Sequence, residues 1–489
     1  MEKNLRLLNE IIVGTADPRT SKLLAHLKRE KLVVRLAPRL YSTNLTDSPE
    51  AIVRRNLWGI VGKLWPGARL SYRTAFEYAP HEGHIFLGYH YTRKVTLPGL
   101  TVHFIATPES LPSDYPFMEG LGVSSYARAL LENLESDRTQ GGVEKCLSSE
   151  AIEERLEAEF TTGGEAALNK LRDEARVIAG ITGSGYGFAR LDKIIGVLLS
   201  TRPVDVLKSG VARARAVGEP YDSSRVELFG TLLEHLGSIV FPEIQESNTS
   251  DADYRTFAFF ESYFSNYIEG TEFELEEARR IVETGVVLPT RDADSHDILG
   301  TYAIASNRQE MSRCAETADE FLEILRSRHR VIMSGRPSAA PGVFKTRDNR
   351  AGNTHFVSFD RVRGTLKRGF EMSRAIRHPF ARAVYILFVI SEVHPFADGN
   401  GRISRLMMNA ELTAAGQAKV IVPTVFRPDY IGALRCLSRD GRPDVLVAAM
   451  RLLWEYSRWL SSGDFETLKG RLEGSNAFSD DERVILRFN

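Results

Sequence analysis

The sequence predicts a mainly α-helical carboxy-terminal half that follows a mixed α+β amino-terminal region. The stretch 383–393 is apolar on nearly every side, as expected of a helix that is buried all round. Over 403–410 the apolar residues recur at the spacing of one helical face. Apolar and polar residues instead alternate over 83–104, which is typical of strands.

The composition is that of an ordinary globular protein. Its 489 residues permit two to four domains, with 43% hydrophobic and 26% charged residues. A net charge of −1 excludes nucleic-acid binding driven by the charge of the whole chain. Three distant cysteines predict neither a disulfide framework nor a zinc site, as in a reducing cytoplasm. We find no signal peptide and no apolar run of about 18 residues, so we expect a cytoplasmic protein without a membrane span.

Residues 1–78 carry a surplus of positive charge, with fourteen basic against seven acidic residues. A helix is predicted to begin at Thr20 or Ser21 and to reach Lys31, with leucines on its inner face. Two short strands are predicted to follow, at 32–35 and 40–41.

A helix followed by a small basic hairpin resembles a winged helix. The next stretch, 47–77, resembles the antitoxin-type regulators of bacterial abortive-infection systems. The resemblance implies contacts to DNA phosphates from three residues: Lys28, Arg29 and Arg35. The alternative is a small folding module with a solvated basic face.

We interpret 79–217 as an α+β connecting domain, with strands in 83–104 and helices at 124–133 and 152–160. The histidines at 81, 84, 90 and 103 lack the carboxylate spacing of a metal site, which favours hydrogen-bonded histidines on a sheet. The glycines at 183, 185 and 187 predict a turn, because no Lys-Ser/Thr pair follows to make a phosphate loop.

The stretch 394–405 concentrates residues that carry chemistry. It lies between the two predicted helices, so its glycines allow a sharp turn and its amide groups meet at a helix N-terminus, a natural anion site. The residues in question are His394, Asp398, Gly399, Asn400, Gly401, Arg402 and Arg405.

Each side chain in this stretch suits one task at a phosphate. The imidazole of His394 titrates near neutrality and can accept a proton from an attacking hydroxyl. Asp398 is an oxygen ligand suited to Mg²⁺ between phosphates. Asn400 can hydrogen-bond a phosphate oxygen. Arg402 and Arg405 share a helical face and can bind phosphates with paired, charge-assisted bonds.

The stretch resembles the signature of the Fic family, His-Pro-Phe-any-Asp/Glu-Gly-Asn-Gly/Lys-Arg, at every fixed position. The resemblance implies a Fic helical core with a β-hairpin flap, and transfer of AMP from ATP, with Mg²⁺, to a Ser, Thr or Tyr hydroxyl of a protein. Transfer of UMP, phosphate or phosphocholine, and removal of AMP, are alternatives within the family. A transcriptional regulator whose Fic part senses a nucleotide is an alternative of another class. Tyr430 resembles the aromatic residue near the adenine.

A second, shorter motif lies upstream. Ser265, Glu269 and Gly270 resemble the inhibitory motif of the family, Ser/Thr-any-any-any-Glu-Gly/Asn. In that interpretation the Glu269 carboxylate pairs with Arg405 and keeps it from the γ-phosphate. The alternative is a helix-end carboxylate before a glycine that ends the helix.

The stretch 341–357 resembles the flap, with strands predicted at 342–345 and 354–357. A flap implies a protein substrate held by main-chain hydrogen bonds, and the chain itself is a further candidate for modification. The family resemblance also implies pairing of two copies as a homodimer. Downstream, Asp429 is predicted to cap a helix that begins at Tyr430. The expected segments are a 1–78 winged-helix, antitoxin-like domain, the 79–217 domain, a 218–460 Fic domain and a 461–489 tail.

Overall fold

Two units make up the protein in this computed structural model, Met1–Val217 and Gly218–Asn489. The structure describes residues 10–15, 17–135, 142–199, 207–352, 354–460 and 463–488. Position 353 of the predicted flap, both ends of the predicted tail and two of the basic residues counted above, Lys3 and Arg6, lie outside these ranges. Within these ranges, no helix is long and apolar enough to cross a membrane.

The first unit begins with one helix and a three-stranded antiparallel sheet. The helix comes earlier than predicted, because Asp17 and not Thr20 or Ser21 caps it: the Asp17 carboxylate accepts a hydrogen bond of 2.8 Å from the Thr20 N–H. The elements are β1 (Ile11–Val13), α1 (Pro18–Arg29), β2 (Val34–Ala37) and β3 (Leu40–Ser42), in the sheet order β1-β3-β2.

A six-stranded mixed sheet follows, flanked by three short helices. Its strands are β4 (Arg69–Leu70), β5 (His84–Tyr89), β6 (Arg93–Leu97), β7 (Leu100–Ala106), β8 (Tyr115–Pro116) and β9 (Gly122–Val123), in the order β6-β7-β5-β4-β9-β8. The helices are α2 (Pro49–Arg55), α3 (Leu57–Leu64) and α4 (Thr74–Glu77). Strand β4 pairs with both β5 and β9, so the sheet crosses the boundary predicted between 78 and 79. One apolar core from Ile11 to Ala129 likewise includes both sides of it.

Four helices follow in the described part of the first unit: α5 (Tyr126–Asn133), α6 (Ser149–Thr182), α7 (Gly185–Leu198) and α8 (Gly210–Ala216). Gly183 ends α6 with a left-handed φ of 77°, so the glycine-rich stretch forms a turn between two helices. On the sheet, the His84 and His103 rings lie 2.8 Å apart, nitrogen to nitrogen. Among the described residues no group of three or more potential metal ligands is present, at these histidines or elsewhere.

The second unit is mainly helical, as predicted. Its first helices are α9 (Ser223–Gly237), α10 (Asp251–Ile268), α11 (Leu275–Thr284), α12 (Asp292–Ala305), α13 (Arg308–Met311) and α14 (Ala318–Ile332). The two-residue strands β10 (Arg350–Ala351) and β11 (Thr354–His355) follow. Six helices complete it: α15 (Val362–Ser373), α16 (Pro379–Val393), α17 (Asn400–Ala414), α18 (Arg427–Asp440), α19 (Pro443–Leu460) and α20 (Phe465–Gly474).

Helices α16 and α17 form the centre of this unit, which confirms the predicted pair of core helices. Almost every residue of α16 is buried, and Pro379 lies in its first turn, where its missing N–H costs nothing. In α17 the buried residues also cover most of the circumference, polar ones included. The loop between these helices is therefore held between two rigid elements.

Two local predictions in this unit are wrong. The stretch 342–345 is not a strand: Gly342 has a φ of 75°, and the Lys345 N–H donates to the Pro395 carbonyl, outside any sheet. Helix α18 begins at Arg427, because Pro428 suits a first turn, so Asp429 does not cap it. The segment predicted as a tail contains α20, whose Leu468 and Leu472 are buried in an apolar cluster with residues of α10 and α19.

Candidate functional site

The loop 394–399 leaves α16 and enters α17 through two left-handed residues. His394 ends α16 with φ and ψ of 51° and 59°, a conformation that is uncommon for a residue with a side chain. Gly399 begins α17 with a φ of 74°, where a β-carbon would approach Met333 and His329. The first amide groups of α17 have no partner within the helix, so this end favours an anion.

The His394 imidazole is held as a neutral base. Its Nδ1 lies 3.3 Å from the Ser391 carbonyl oxygen, which can only accept, so Nδ1 carries the proton and Nε2 keeps a free lone pair. Phe356 stacks on the ring at a centroid distance of 3.7 Å. Burial lowers the pKa of the imidazole to about 4. At neutral pH the ring is therefore able to accept a proton.

Asn400 holds the loop together and does not point a free amide into the site. Its Oδ1 accepts a hydrogen bond of 2.9 Å from the Phe396 N–H, and its Nδ2 donates one of 2.9 Å to the Phe396 carbonyl. The side chain is buried. These bonds give the side chain a role in the shape of the loop, and its hydrogen bond to a phosphate stays a prediction.

Arg402 is buried and paired with a carboxylate that the sequence did not reveal. Its Nη1 lies 2.6 Å from Oδ2 of Asp297, on α12, and 3.4 Å from the Asn266 side-chain oxygen. Asp297, itself fully buried, also accepts two hydrogen bonds from Nε of Arg336. The guanidinium of Arg402 is thus fixed in place beside Asp398, whose Oδ2 lies 3.9 Å away.

Arg405 contacts the second motif, 136 residues upstream. Its Nη2 donates to Oε1 of Glu269 at 2.8 Å and to the Ser265 carbonyl at 2.8 Å. Its Nε donates to the Ser265 hydroxyl at 3.0 Å. Glu269 directly follows α10, and Gly270 turns the chain with a φ of 88°. The structure thus brings Glu269 and Arg405 into the predicted contact, and adds Ser265 of the same motif as a second partner of Arg405.

Asp398 presents the exposed carboxylate of the loop. About half of its side chain, 54%, is accessible to solvent, and Oδ1 accepts a hydrogen bond of 2.7 Å from the Gly399 N–H. One or two carboxylates together with phosphates are a common way for proteins to hold Mg²⁺. A single exposed carboxylate beside an anion site therefore fits a magnesium ion that is shared with a nucleotide.

One cavity of about 390 Å³ lies at the site, and its lining does not include Asp398, Asn400 or Arg402. His394, Gly401, Arg405 and Glu269 line one part, and Tyr430 of α18 contributes to the wall. Tyr430 is buried, and its ring centroid lies 6.0 Å from the Arg405 guanidinium. Three flap residues also contribute to the lining: Ala351, Thr354 and Phe356.

Two buried carboxylates at the site escaped sequence reasoning. Glu392, in the last turn of α16, lines the cavity and is buried, with Arg225 at 3.0 Å and the Ser438 hydroxyl at 3.1 Å. Burial raises the pKa of this carboxyl group. Asp297 is the other. Neither follows a spacing that a sequence pattern could reveal, since their partners lie on other helices.

His329 of α14 packs against the loop 394–399. Its ring stacks on Phe396 at a centroid distance of 3.6 Å. Its Nδ1 accepts from the Gly342 N–H at 2.9 Å, so the proton is on Nε2, which lies 2.9 Å from the Asp398 carbonyl. Burial lowers its pKa to about 4, which keeps the ring neutral. Only its position after folding identifies this histidine.

Comparison with known proteins finds similarity to one family. Residues 320–412 match the Fic/DOC family. The chain is 30% identical over 247 residues to the protein adenylyltransferase Fic of Drosophila erecta, covering 48% of each chain. It is 28% identical over 216 residues to the protein adenylyltransferase fic-1 of Caenorhabditis elegans, covering 43% of this chain and 42% of the relative. The chain thus spans about half the length of these relatives.

A solved structure of a Fic domain containing signalling protein from Bacteroides thetaiotaomicron is also similar. It has a TM-score of 0.38 and 17% sequence identity, over 50% of this chain and 98% of that one.

Proposed function

We propose, from the premise that residues 320–412 are a domain of the Fic/DOC family, that this protein is a protein adenylyltransferase. It transfers AMP from ATP to a hydroxyl group of a protein. The observation that carries the proposal is the shared cavity, in which the neutral imidazole of His394 and the guanidinium of Arg405 flank the glycine-bearing start of α17. A base, a cation and a helix N-terminus are what phosphoryl chemistry requires.

In the proposed reaction, Nε2 of His394 takes the proton of the attacking hydroxyl. The hydroxyl oxygen forms a bond to the α-phosphorus, the bond from that phosphorus to the bridging oxygen of the β-phosphate breaks, and pyrophosphate leaves with the electron pair. A positioned base of this kind contributes roughly 10²–10⁴-fold in rate. The Nδ1 proton, held towards the Ser391 carbonyl, keeps Nε2 as the accepting atom.

The phosphates are bound by the amide groups at the start of α17 and by the guanidinium of Arg405. Arg402 contributes positive charge from its fixed position on Asp297. Asp398 would hold Mg²⁺, which when bound neutralises charge on the phosphates. The more apolar part of the cavity, with Tyr430 in its wall, accommodates the base of the nucleotide.

The same geometry supports autoinhibition by Glu269. The carboxylate binds Arg405 and lies directly beside Gly401, where the phosphates would approach the helix. The anionic group of the protein therefore takes the place of an anionic group of the nucleotide. Release of Glu269 is then needed for a productive position of ATP.

The decisive experiment follows the label of ATP. We expect transfer from α-labelled but not from γ-labelled ATP in the Glu269→Gly variant, with a mass increase of one AMP on the acceptor and none in Glu269→Gly/His394→Ala. Transfer from the γ position would indicate a kinase. Absence of any transfer by Glu269→Gly, despite measurable binding of ATP, would favour a nucleotide-sensing regulator.

A protein substrate fits the flap. Strands β10 and β11 form an isolated two-stranded sheet next to the cavity, with Arg350 and Ala351 exposed. An exposed edge of this kind can pair with an extended segment of a substrate through main-chain hydrogen bonds. Self-modification would use the same chemistry. It is measured as an increase of one AMP in the mass of the chain itself.

DNA binding by the first unit is a second candidate function. The outer face of α1 and the neighbouring hairpin expose several cations: Arg19, Lys22, Lys28, Arg29, Arg35 and Arg39. Cations on a helix and hairpin suit contact with DNA phosphates, whose strength falls steeply with salt. Replacement of Lys28, Arg29 and Arg35 by alanine should weaken binding to duplex DNA and reduce its salt dependence; equal binding by this triple variant would refute the assignment.

A further inference from the structure

The backbone carbonyls around His394 are bound by a segment that lies before the flap strands. Nζ of Lys345 donates to the Val393 carbonyl at 3.4 Å. The backbone N–H of Lys345 donates to the Pro395 carbonyl at 2.9 Å. Nδ2 of Asn349 donates to the carbonyls of His394 at 3.4 Å and Phe396 at 3.0 Å. The four backbone carbonyls of residues 393–396 thus all accept hydrogen bonds from Lys345 or Asn349.

Lys345 and Asn349 also hold each other. Nζ of Lys345 donates to Oδ1 of Asn349 at 2.6 Å, so the amide is oriented with its NH₂ group towards the loop. Lys345 is buried, with 6% of its surface exposed, and burial lowers the pKa of its amine to about 8. A lysine is rarely buried to this degree without a specific set of acceptors.

These donors bind the backbone on both sides of His394, the residue of the loop with a left-handed conformation. His394 adopts a left-handed conformation that a residue with a β-carbon keeps only when its surroundings favour it. Bonds to the carbonyls on both sides of His394 fix the peptide planes that set this conformation. Phe356, whose N–H lies 3.4 Å from the Asn349 carbonyl, then covers one face of the imidazole.

We propose that Lys345 and Asn349 are positioning residues that hold the His394 imidazole in the orientation from which it accepts the proton. The proposal rests on the adenylyltransferase function proposed above, because it gives His394 the role of general base. Neither side chain touches the reacting atoms in this arrangement. They act through the backbone of the loop, and Lys345 also acts through its charge.

The charge of Lys345 supplies a readout that loss of packing would not produce. Besides burial, which lowers the pKa of His394, the hydrogen bond to the Ser391 carbonyl and the carboxylates of Glu269 and Asp398 raise it, whereas the Lys345 ammonium lowers it. Replacement by methionine keeps the length of the side chain and removes the cation. The pKa of His394 should therefore rise in Lys345→Met and change less in Asn349→Ala.

The kinetic test uses Lys345→Met, Asn349→Ala and Asn349→Asp in the full chain with Glu269→Gly. We expect kcat to fall roughly 10- to 100-fold, as for a displaced catalytic group, with the KM for ATP within about twofold. Asn349→Asp is nearly isosteric but cannot donate to carbonyls, so it should be as impaired as Asn349→Ala. Lys170→Met, an exposed lysine of the first unit, is the control for the loss of a cation. Unchanged kcat in folded Lys345→Met and Asn349→Ala would overturn the proposal.

A second measurement does not depend on activity. Proton NMR titration of the His394 ring, assigned by difference from His394→Asn, should show a higher pKa in Lys345→Met than in the parent chain. An unchanged pKa would overturn the role of Lys345. If the pKa shifts as expected but the protein transfers no AMP, the interaction between Lys345 and His394 is supported. In that case the adenylyltransferase function is rejected instead.

Discussion

The Glu269 carboxylate lies in space that only a glycine at position 401 leaves open: a β-carbon on Gly401 would overlap with its Oε1 atom. The same oxygen accepts the hydrogen bond from Arg405. The carboxylate therefore lies close to the start of α17 and pairs with Arg405 through the same oxygen atom. On the proposed function, an anion of the protein occupies the place where the helix would bind a phosphate.

Glu269→Gly should increase the transfer of AMP to the protein itself. Removal of the carboxylate frees Arg405 for the nucleotide, and we expect a gain of at least about tenfold, or roughly 1.4 kcal/mol in the transition state. The measurement is incorporation of α-labelled ATP over time. Glu272→Gly, an exposed glutamate three residues further along, is the matched control and should leave the rate unchanged. Equal rates in the two variants would reject the inhibitory contact.

The rate of transfer should stay constant from pH 7 down to about pH 5. The imidazole of an unperturbed histidine would be half protonated near pH 6.5, but burial lowers the pKa of His394 to about 4. Because the neutral form is the base, activity falls only as the pH approaches 4. The Glu269 carboxylate raises the pKa of His394. Its removal therefore lowers that pKa and moves the loss of activity to a still lower pH. A profile of kcat/KM for Glu269→Gly with a midpoint near 6.5 would contradict this prediction.

Asn400→Ala should destabilise the second unit. The substitution leaves the Phe396 N–H without its side-chain partner, and a buried group left unpaired costs about 1–3 kcal/mol. It also removes one of the two side-chain donors of the Phe396 carbonyl, which keeps the one from Asn349. Asn400→Asp keeps an acceptor for the N–H and loses only the donor, so its loss should be smaller. Urea unfolding of the three proteins gives the free energies. Identical losses for the two variants would mean that the Phe396 carbonyl does not need its donor.

Asp297→Ala should have a larger effect than any substitution of an exposed aspartate. It leaves the guanidinium groups of Arg402 and Arg336 without their shared carboxylate, and breaking a buried pair costs roughly 3–5 kcal/mol. Asp292→Ala, in the exposed first turn of the same helix, should change the free energy of unfolding by about 0.5 kcal/mol or less. Thermal and urea unfolding measure both; similar values would show that Arg402 does not depend on Asp297.

Stability should decrease as the pH falls from about 6.5 to 4. His329 has a folded-state pKa of about 4, so over this range the unfolded chain binds the proton first and is favoured. The shift corresponds to roughly 3 kcal/mol at most. His329→Gln, compared with the parent chain at pH 7 and pH 4.5, should show a smaller decrease between the two values. An equal decrease would mean that protonation of His329 is not coupled to unfolding.

Much of the helical core follows from local pattern. The all-round apolarity of 383–393 predicts a central buried helix, and α16 is one, because a helix without a polar face can be stable only inside the protein. The flap was harder to predict. The segment 342–345 has strand-like residues, yet Gly342 turns the chain and Lys345 gives its N–H to the loop beside His394, so a tertiary contact overrides the local preference.

The sequence by itself determined the identity and order of the groups at the site, since the stretch 394–405 and the motif at Glu269 are contiguous patterns. It also determined that a glycine turn separates two core helices. Tertiary structure decided which of those groups are free for a ligand. Asn400 is used inside the loop, Arg402 is paired with Asp297, and Lys345 and His329 reach the loop from distant segments. The physical reason is that buried polar groups need partners, and folding supplies those partners from parts of the chain that no local spacing relates.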